Sequence, residues 1–451
     1  MLGTRMHQPH DQDQKIDLVT TILLVGFSVS VLFHYINGAY FGFGYPQNTF
    51  LFSPRNAFRD FFVLYEANSD LNPYFGPDPS AQFPFLNLLA FLFSLIPRSI
   101  SFACYTLLVI EGFVWVNALH LRTNSRFIYS IRVFVFSFLS YPLLFTLDRG
   151  NFEGLLCVFL LFFIVSYQKQ RFMLAAVFLA LAIAMKVFPV VFLVLLVADR
   201  KYKESLLTIV LVIAITLASL FAFKGGFVNN TLFILQGSNF ALSDTWATYA
   251  GNNHIVQRGV TLLTFFKVVT IETGLIAVAD MVSFLNSYTK VMVVLFGAVA
   301  AYVVLVEKEA WKKTAMLVFS MLLFPQVSAD YKLLHVFLPL LVFIRSAPKG
   351  RSDLFYAAMF AALLIPKDYY YLPHVISDAV AFDISIAVLL NPLIMVITMG
   401  AIAWSGLRQA DRVTVRRTLL EHADAIRVQW SDVRNLLRRN RLGDPGTSAN
   451  R

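Results

Sequence analysis

The chain alternates long apolar runs with short polar loops. The first run, Leu18–Tyr35, is followed by a polar and aromatic segment that continues to about Gln82. Apolar runs of this length with few charges are typical of transmembrane helices. The pattern predicts an all-α polytopic membrane protein with about 10–12 transmembrane helices. Further crossings are predicted at Ser101–Leu119, Val133–Leu147, Leu155–Tyr167, Ser205–Phe223, Val291–Val306, Thr314–Val327, Leu333–Ile344, Leu354–Ile365 and Ile384–Trp404.

Two apolar runs do not fit ordinary crossings. Phe83–Pro97 is short for a span and suits a helix that lies along the membrane interface. Phe172–Ala198 lies between the basic loops "QKQR" and "DRKYKE", so it should enter and leave the membrane on one side. It is interrupted by "KVFP" at Lys186–Pro189, where proline removes a backbone donor. Because the freed backbone groups need partners, we expect this re-entrant hairpin to line a cavity.

The charges indicate how the chain is oriented. Lysine and arginine number 37 against 27 carboxylates, and they cluster in short loops and at the C-terminus. This is the positive-inside bias of a multi-pass membrane protein, and it argues against a nucleic-acid partner. We expect the cell (inner or plasma) membrane, a cytoplasmic N-terminus (1–17), a transmembrane domain (18–404) and a basic amphipathic cytoplasmic tail (405–451). The outer loops are predicted at about 37–100, 148–154, 224–286, 328–332 and 367–383.

The segment Ser53–Gly76 places charges among aromatic residues beside the first span. Ser53 and Pro54 predict a helix start, with a capping hydroxyl followed by proline. Asp60 is expected to face away from the apolar stripe of this helix. The carboxylate is interpreted either as part of a surface ion pair or as a general base at the membrane surface. The apolar stripe comprises Phe58, Phe61, Phe62 and Tyr65, and the flanking arginines are Arg55 and Arg59.

Three blocks of sequence, in chain order, resemble the GT-C glycosyltransferases of family 87. The first is "FRDFFVLYEANSDLNPYF" (Phe58–Phe75) with the proline-containing apolar run after it. The second is "GNFEG" (Gly150–Gly154) with "KVFP", similar to the family's Gly-Gln-x-Asn and Lys-x-x-Pro but without the glutamine. The third, "FPQVSADYKLLHVFLPLL" (Phe324–Leu341), is similar to the late Ser-Pro-x-x-Trp-Asp-His-Tyr segment, with Ala329 in place of Trp. The positions that match are Asp60, Phe61, Pro73, Tyr74, Pro84, Gly150, Asn151, Lys186 and Pro189, and Tyr65 is displaced by one place from the tyrosine of the pattern.

The resemblance implies a GT-C fold and a polyprenyl-phosphate-sugar-dependent enzyme, similar to the actinobacterial phosphatidylinositol mannoside mannosyltransferases. It implies inverting transfer of a sugar, mannose by family majority, to an envelope glycolipid or polysaccharide on the outer (periplasmic) face. Asp60 would take the proton from the acceptor hydroxyl. No metal and no soluble cofactor are expected, and no Asp-x-Asp pair stands in the outer loops to hold a nucleotide sugar. The candidates for binding the donor phosphate are Arg149, Lys186, Lys332 and His335.

Residues that contact the sugar or the acceptor are expected from two regions. Arg59, Tyr65 and Asn151 belong to the blocks that resemble the family. The polar loop Gly237–Gly259 offers an aromatic ring that can stack on a sugar and several hydrogen-bonding side chains. The alternative is an ordinary solvated loop. The candidates in this loop are Trp246, Asn252, Asn253 and His254.

Other interpretations stay open from the sequence alone. A transporter or flippase for a lipid-linked sugar would also span the membrane many times, and a related GT-C enzyme could transfer a pentose or uronic acid. Lys186 could instead be a structural partner of Asp148 or Asp330. His335 could be a packing residue at the end of a span. The concentration of polar residues on one side of the membrane favours an enzyme over a transporter.

Overall fold

The structure is a computed structural model that describes residues 9–75, 80, 82–240, 258–272, 281–347, 350–377, 380–410 and 412–441. Most of these residues form helices connected by short loops. The described part also contains one two-stranded antiparallel sheet, in which Tyr371–Ser377 pairs with Val380–Ser385. The sequence pattern predicted a plain outer loop at this place, so the hairpin is an unpredicted feature.

The first half of the chain contains the elements that build the candidate site. Short 3-10 helices at Pro54–Asn56 and Phe188–Phe192 accompany the α-helices. The α-helices are α1 (Pro9–Ala39), α2 (Arg59–Ala67), α3 (Pro84–Ser94), α4 (Arg98–His120), α5 (Arg126–Phe138), α6 (Tyr141–Arg149), α7 (Glu153–Gln168), α8 (Phe172–Met185), α9 (Leu193–Ala198), α10 (Tyr202–Ala222) and α11 (Gly226–Phe240).

The second half continues the bundle. A 3-10 helix at Asp330–Val336 leads directly into the next α-helix and packs against α6. The α-helices span Leu262–Glu272, Met281–Leu305, Ala310–Leu323, Phe337–Arg345, Arg351–Leu364, Ala387–Gln409 and Arg412–Arg441. The last of these lies in the segment predicted to be a basic amphipathic helix.

The structure contains several helices that can cross a membrane. Within the described residues, five are long and apolar enough, and the bent pair α5 and α6, with a 47° angle between its parts, makes up to six. The other predicted crossings coincide with shorter helices such as α7, which has 16 residues. The chain is therefore an all-α polytopic membrane protein, but within the described residues fewer helices reach full spanning length than the ten to twelve predicted. A short helix is present within the run Phe83–Pro97 as α3, with 11 residues, and its place along the membrane interface stays a prediction.

The segment 172–198 follows the path of a hairpin. Helix α8 ends at Met185, and Lys186 at the turn contacts Glu153, the first residue of α7. Asp199, directly after α9, accepts a hydrogen bond from the hydroxyl of Tyr167 near the last turn of α7. The chain therefore returns to the end of α7 from which it started, as the hairpin prediction requires.

The basic loops gather at one end of the bundle. Arg132 forms ion pairs with Asp13 and Asp17 of α1, at 2.8 and 2.7 Å. Lys15, between those two carboxylates, is buried and pairs with Asp353 at 2.9 Å. These contacts tie the start of α1 to α5 and to the helix Arg351–Leu364. The opposite end carries Asp60 and is called the site end below.

One predicted loop is much shorter than expected. Residues 148–154 were placed in an outer loop, but α6 continues to Arg149 and α7 begins at Glu153. Only residues 150–152 connect the two helices. The polar side chains of this segment are therefore held by helix ends, which fixes their directions.

Candidate active site

Helix α2 begins differently from the prediction. Ser53 makes no side-chain capping bond, and Pro54–Asn56 forms only a 3-10 turn. The α-helix starts at Arg59, after Phe58, which has a left-handed backbone with φ of 60°. The N–H of Phe58 donates to the carbonyl of Asp148 at 2.7 Å. The start of α2 is therefore fixed to the last turn of α6 by a backbone bond rather than by a serine cap.

Gly150 allows this close approach. It ends α6 with φ of 63°, a conformation that glycine adopts without the penalty of a Cβ. A Cβ at this position would lie 2.8 Å from Cβ of Phe61 and 3.2 Å from the carbonyl oxygen of Phe58. The glycine is thus the point at which α2 rests on the connection between α6 and α7.

A layer of aromatic side chains packs next to the contact between α2 and Gly150. The ring of Phe61 is fully buried and stacks on Phe152, with centroids 5.6 Å apart and planes within 4°. Tyr105 packs beside both rings, and its hydroxyl donates to the carbonyl of Asn151. Phe61 of the predicted apolar stripe thus packs inside the protein against α4 and against Phe152 directly before α7, whereas Phe58 of the same stripe is exposed.

The side chain of Asp60 lies on the face of α2 opposite this aromatic layer, where it accepts hydrogen bonds from two side chains. Arg149 donates to both carboxylate oxygens, with its Nε 3.2 Å from Oδ2. Asn151 Nδ2 donates to the same Oδ2 at 2.7 Å. The ion pair expected with a flanking arginine of α2 is therefore replaced by a bidentate pair with Arg149. Arg59 itself is exposed and donates to Asn56 at 3.3 Å.

A second polar group lies at the start of α7. Glu153 is fully buried, and its Oε2 accepts from Lys186 Nζ at 2.5 Å. Its other oxygen, Oε1, accepts from Nε2 of His335 at 2.9 Å. The suggestion that Lys186 pairs with Asp148 or Asp330 is wrong, because Glu153 occupies that role. One carboxylate thus connects the hairpin turn to the 3-10 helix Asp330–Val336.

Members of both polar groups line a cavity of about 560 Å³ at the site end. Asp60 and Lys186 both line it, with side chains about one fifth exposed. The guanidinium of Arg149 also reaches it and lies over the ring of Phe52 at 4.1 Å. The cavity wall therefore combines a carboxylate with the cations of Lys186 and Arg149, and Arg59 adds a third. The remaining lining includes Asn56, Arg59, Val63, Leu64, Gln82, Leu86, Asn151 and Phe152.

Three predicted site residues lie outside this lining. Tyr65 donates its hydroxyl to the carbonyl of Ile96 at 2.8 Å, which ties α2 to the loop after α3. His335 is fully buried behind Glu153. Lys332 holds its Nζ 4.7 Å from the ring centre of Phe188, and burial lowers the pKa of its ammonium to about 8. The candidates Trp246, Asn252, Asn253 and His254 lie outside the described residues.

Glu153 and Arg258 were not predicted as site residues from the sequence. Glu153 could have been found, since a carboxylate at the start of an apolar run needs a partner and Lys186 was already identified as an intramembrane cation. Arg258 donates to the carbonyls of Phe50 and Leu51, at 3.2 and 3.0 Å, and lies 3.7 Å from Asp368. It therefore anchors the segment that leads to Asp60, through contacts that no sequence pattern signals.

The polar groups of the site are charged side chains held in place by neighbouring residues. Within the described ranges, no three His, Cys, Asp or Glu side chains come close enough together to hold a metal ion. Asp60 uses both oxygens, but Oδ1 accepts only one hydrogen bond and keeps a free lone pair. Lys186 likewise has N–H groups beyond the one that Glu153 accepts. The site can therefore accept a proton on one side and bind an anion on the other.

Comparison with known protein families gives one match. The model of glycosyltransferase family 87 matches residues 84–326, which are 243 of the 451 residues. The matched range contains Arg149, Asn151, Glu153 and Lys186, whereas Asp60 precedes it and Lys332 and His335 follow it. Among curated proteins, no sequence matches the chain.

Proposed function

The chain belongs to glycosyltransferase family 87, and from this premise we propose that it transfers a sugar from a polyprenyl-phosphate donor to a glycolipid or polysaccharide of the cell envelope. Family membership makes the chain a glycosyltransferase, so the transporter interpretation is not retained. One observation supports the proposal most directly. The carboxylate of Asp60 and the ammonium of Lys186 line the same cavity in a protein that spans a membrane.

Asp60 is proposed as the general base. Its Oδ1 has a lone pair that Arg149 and Asn151 leave free, so this oxygen can accept the proton of the acceptor hydroxyl. The deprotonating hydroxyl attacks the anomeric carbon from the side opposite the leaving phosphate, which inverts the configuration. The two neighbours orient the carboxylate through three hydrogen bonds, so little rotation is needed during reaction.

Lys186 and Arg149 are proposed to bind the donor phosphate. Cleavage of the bond between the sugar and the phosphate leaves negative charge on the phosphate oxygens. Cations that are already fixed at that place stabilise the developing charge without reorganising. Glu153 holds Lys186 by one N–H and leaves the others for the phosphate. The prenyl chain of the donor would lie between the apolar helices near the site end.

The sugar and the membrane face complete the proposal. Mannose follows from the resemblance to the mannosyltransferases, while a pentose or uronic acid is the alternative; the exposed guanidinium of Arg59 at the cavity leaves room for an anionic sugar. The basic loops at the opposite end favour placing the site end on the outer face of the cell membrane. The described fixed cations would carry the phosphate chemistry without a metal or soluble cofactor.

The proposal is tested by sugar transfer in membranes supplied with radiolabelled polyprenyl-phosphate mannose. Asp60→Asn keeps the size of the side chain and removes the base, so we expect a loss of roughly 10²–10⁴-fold. Asp70→Asn is the matched control, because Asp70 is exposed in the same predicted outer segment and, among the described residues, its side chain accepts a hydrogen bond only from the backbone N–H of Asn72. Full activity of Asp60→Asn would exclude Asp60 as the base. Failure of the wild type with mannose, but success with a pentose or uronic acid donor, would correct the sugar.

A further inference from the structure

A second and larger cavity lies at the end of the bundle opposite the site end. Its volume is about 990 Å³, and its lining includes Val165, Gln168 and Lys169 at the end of α7. The site cavity instead contacts Asn151 and Phe152, directly before the start of the same helix. The 16 residues of α7 correspond to a length of about 24 Å. The two cavities are therefore separate, and the proposed reaction does not involve the larger one.

Three cations converge on this cavity from three different parts of the chain. Arg122 follows α4, Lys169 follows α7, and Arg345 ends the helix Phe337–Arg345. Arg122 and Arg345 lie close enough for their like charges to repel. Among the residues that the structure describes, no carboxylate forms an ion pair with any of the three, and Arg345 donates only to the carbonyl of Leu119. Converging cations without counterions favour an anionic ligand.

The two carboxylates in the lining are already neutralised. Asp199 accepts from Lys313 at 2.9 Å and from the hydroxyl of Tyr167. Glu309 pairs with Lys312 at 2.7 Å and accepts from the indole N–H of Trp311 at 3.0 Å. Neither carboxylate therefore offsets the three converging cations, and the positive potential at the cavity remains.

The walls between these charges are apolar. Val165, Val342 and the buried ring of Trp311 line the cavity together with Phe172. A ligand that suits this lining carries an anionic group and an apolar part. Basic pockets between transmembrane helices are known to hold anionic lipid headgroups. We propose that this cavity binds the phosphate of an anionic phospholipid. Arg122, Lys169 and Arg345 would contact the phosphate, and the parts of the acyl chains nearest the headgroup would lie against the apolar wall.

The test measures binding of phosphatidylglycerol to the purified full-length protein in detergent, with phosphatidylcholine and inorganic phosphate as comparison ligands. We expect tighter binding of phosphatidylglycerol than of phosphatidylcholine, detected as retained lipid by native mass spectrometry. Removing one charge-assisted hydrogen bond should weaken binding about tenfold, so Arg122→Gln with Arg345→Gln should weaken it about 100-fold. The matched control is Arg126→Gln with Arg351→Gln, two exposed arginines outside the lining. The control should stay within about twofold of the wild type.

The outcomes separate the alternatives. If inorganic phosphate binds as tightly as phosphatidylglycerol and depends on the same arginines, the anion site stands and its natural ligand is a soluble phosphate. If lipid binding survives in the double variant, or falls equally in the control, the site does not exist. Lys169→Gln, at an exposed position, tests the same site with a single change if the double variant does not fold. Sugar transfer plays no part in the readout, so the result is independent of the proposed reaction.

Discussion

The Nζ of Lys186 lies 2.5 Å from Oε2 of Glu153, so a cation that lines the site cavity is held by a carboxylate with no exposed surface. An isolated charge among apolar helices is costly, and each member of this pair removes much of that cost for the other. The second oxygen of Glu153 is occupied by His335. The pair therefore fixes the position of the ammonium while leaving it accessible from the cavity.

Glu153→Gln should weaken both the fold and the reaction. The amide keeps the shape of the side chain but leaves the Lys186 ammonium without its counterion. Removing one partner of such a pair costs about 3 kcal/mol, measured as a lower free energy of unfolding in detergent. Because the proposed phosphate ligand then loses its fixed position, kcat/KM for the lipid donor should fall at least about tenfold.

A double-mutant cycle separates the pair from a general effect of either change. Lys186→Met removes the charge that Glu153 compensates, and the combined variant removes both. If the two side chains act as a pair, the loss of stability in the combined variant should be smaller than the sum of the single losses by about 1–3 kcal/mol. Additive losses would contradict the pairing.

Arg149→Lys tests the bidentate interaction with Asp60. Lysine keeps the positive charge but cannot donate two parallel hydrogen bonds from a planar group. We expect kcat to fall about 10–100-fold, because the carboxylate is no longer held in one orientation, while the melting temperature changes little. The control is Arg55→Lys, at an exposed position outside the cavity lining. Equal activity of wild type and Arg149→Lys would show that this orientation is unimportant.

Much of the fold follows from apolar periodicity. Every predicted crossing overlaps a helix or consecutive helices, and the break in the hairpin occurs at Lys186, before the proline. Hydropathy reports how apolar a run is, but it does not report where hydrogen bonding stops. For that reason α6 could continue through Asp148 and Arg149, which were assigned to a loop, and the sheet near Tyr371 was missed.

The site is only partly visible in the sequence. Asp60, Arg149, Asn151 and Lys186 were selected, and the structure brings all four to one cavity. Their pairing was not predicted, because Asp60 and Arg149 are 89 residues apart and adjacent arginines looked like nearer partners. Long-range pairing of this kind depends on how helices pack, and a single sequence carries no direct signal of it.

Gly150→Ala should disturb the packing that positions Asp60. The new Cβ would meet Cβ of Phe61 at 2.8 Å in a left-handed conformation that alanine disfavours. We expect a loss of about 1–3 kcal/mol in the free energy of unfolding, together with reduced transfer as α2 shifts. Gly400→Ala is the control. A Cβ added at this helical residue would meet no heavy atom within 4 Å beyond its own helix backbone, so the change should be neutral or slightly stabilising. Gly150→Asn, which tolerates the backbone better, should still lose stability if the steric clash is the cause.

Donor binding should weaken as the pH rises through about 8. Burial lowers the pKa of Lys332 to about 8, so the ammonium is charged at pH 7 and mostly neutral at pH 9. If Lys332 contributes to phosphate binding, the charged form binds more tightly and the Kd for the donor should rise about tenfold between these pH values. Lys332→Met should bind the donor with the weaker affinity at every pH between these values, without the stepwise rise in Kd near pH 8.

Lys367 provides the matched control for this experiment. Burial also lowers its pKa to about 8, but its ammonium donates to the backbone carbonyls of Ala362 and Ile365, away from the cavity lining. Lys367→Met should therefore keep the pH step. If the step persists in Lys332→Met and disappears in Lys367→Met, a group remote from the cavity controls the affinity and Lys332 is not a phosphate ligand. Since both lysines titrate in the same range, only the comparison of the two variants assigns the step.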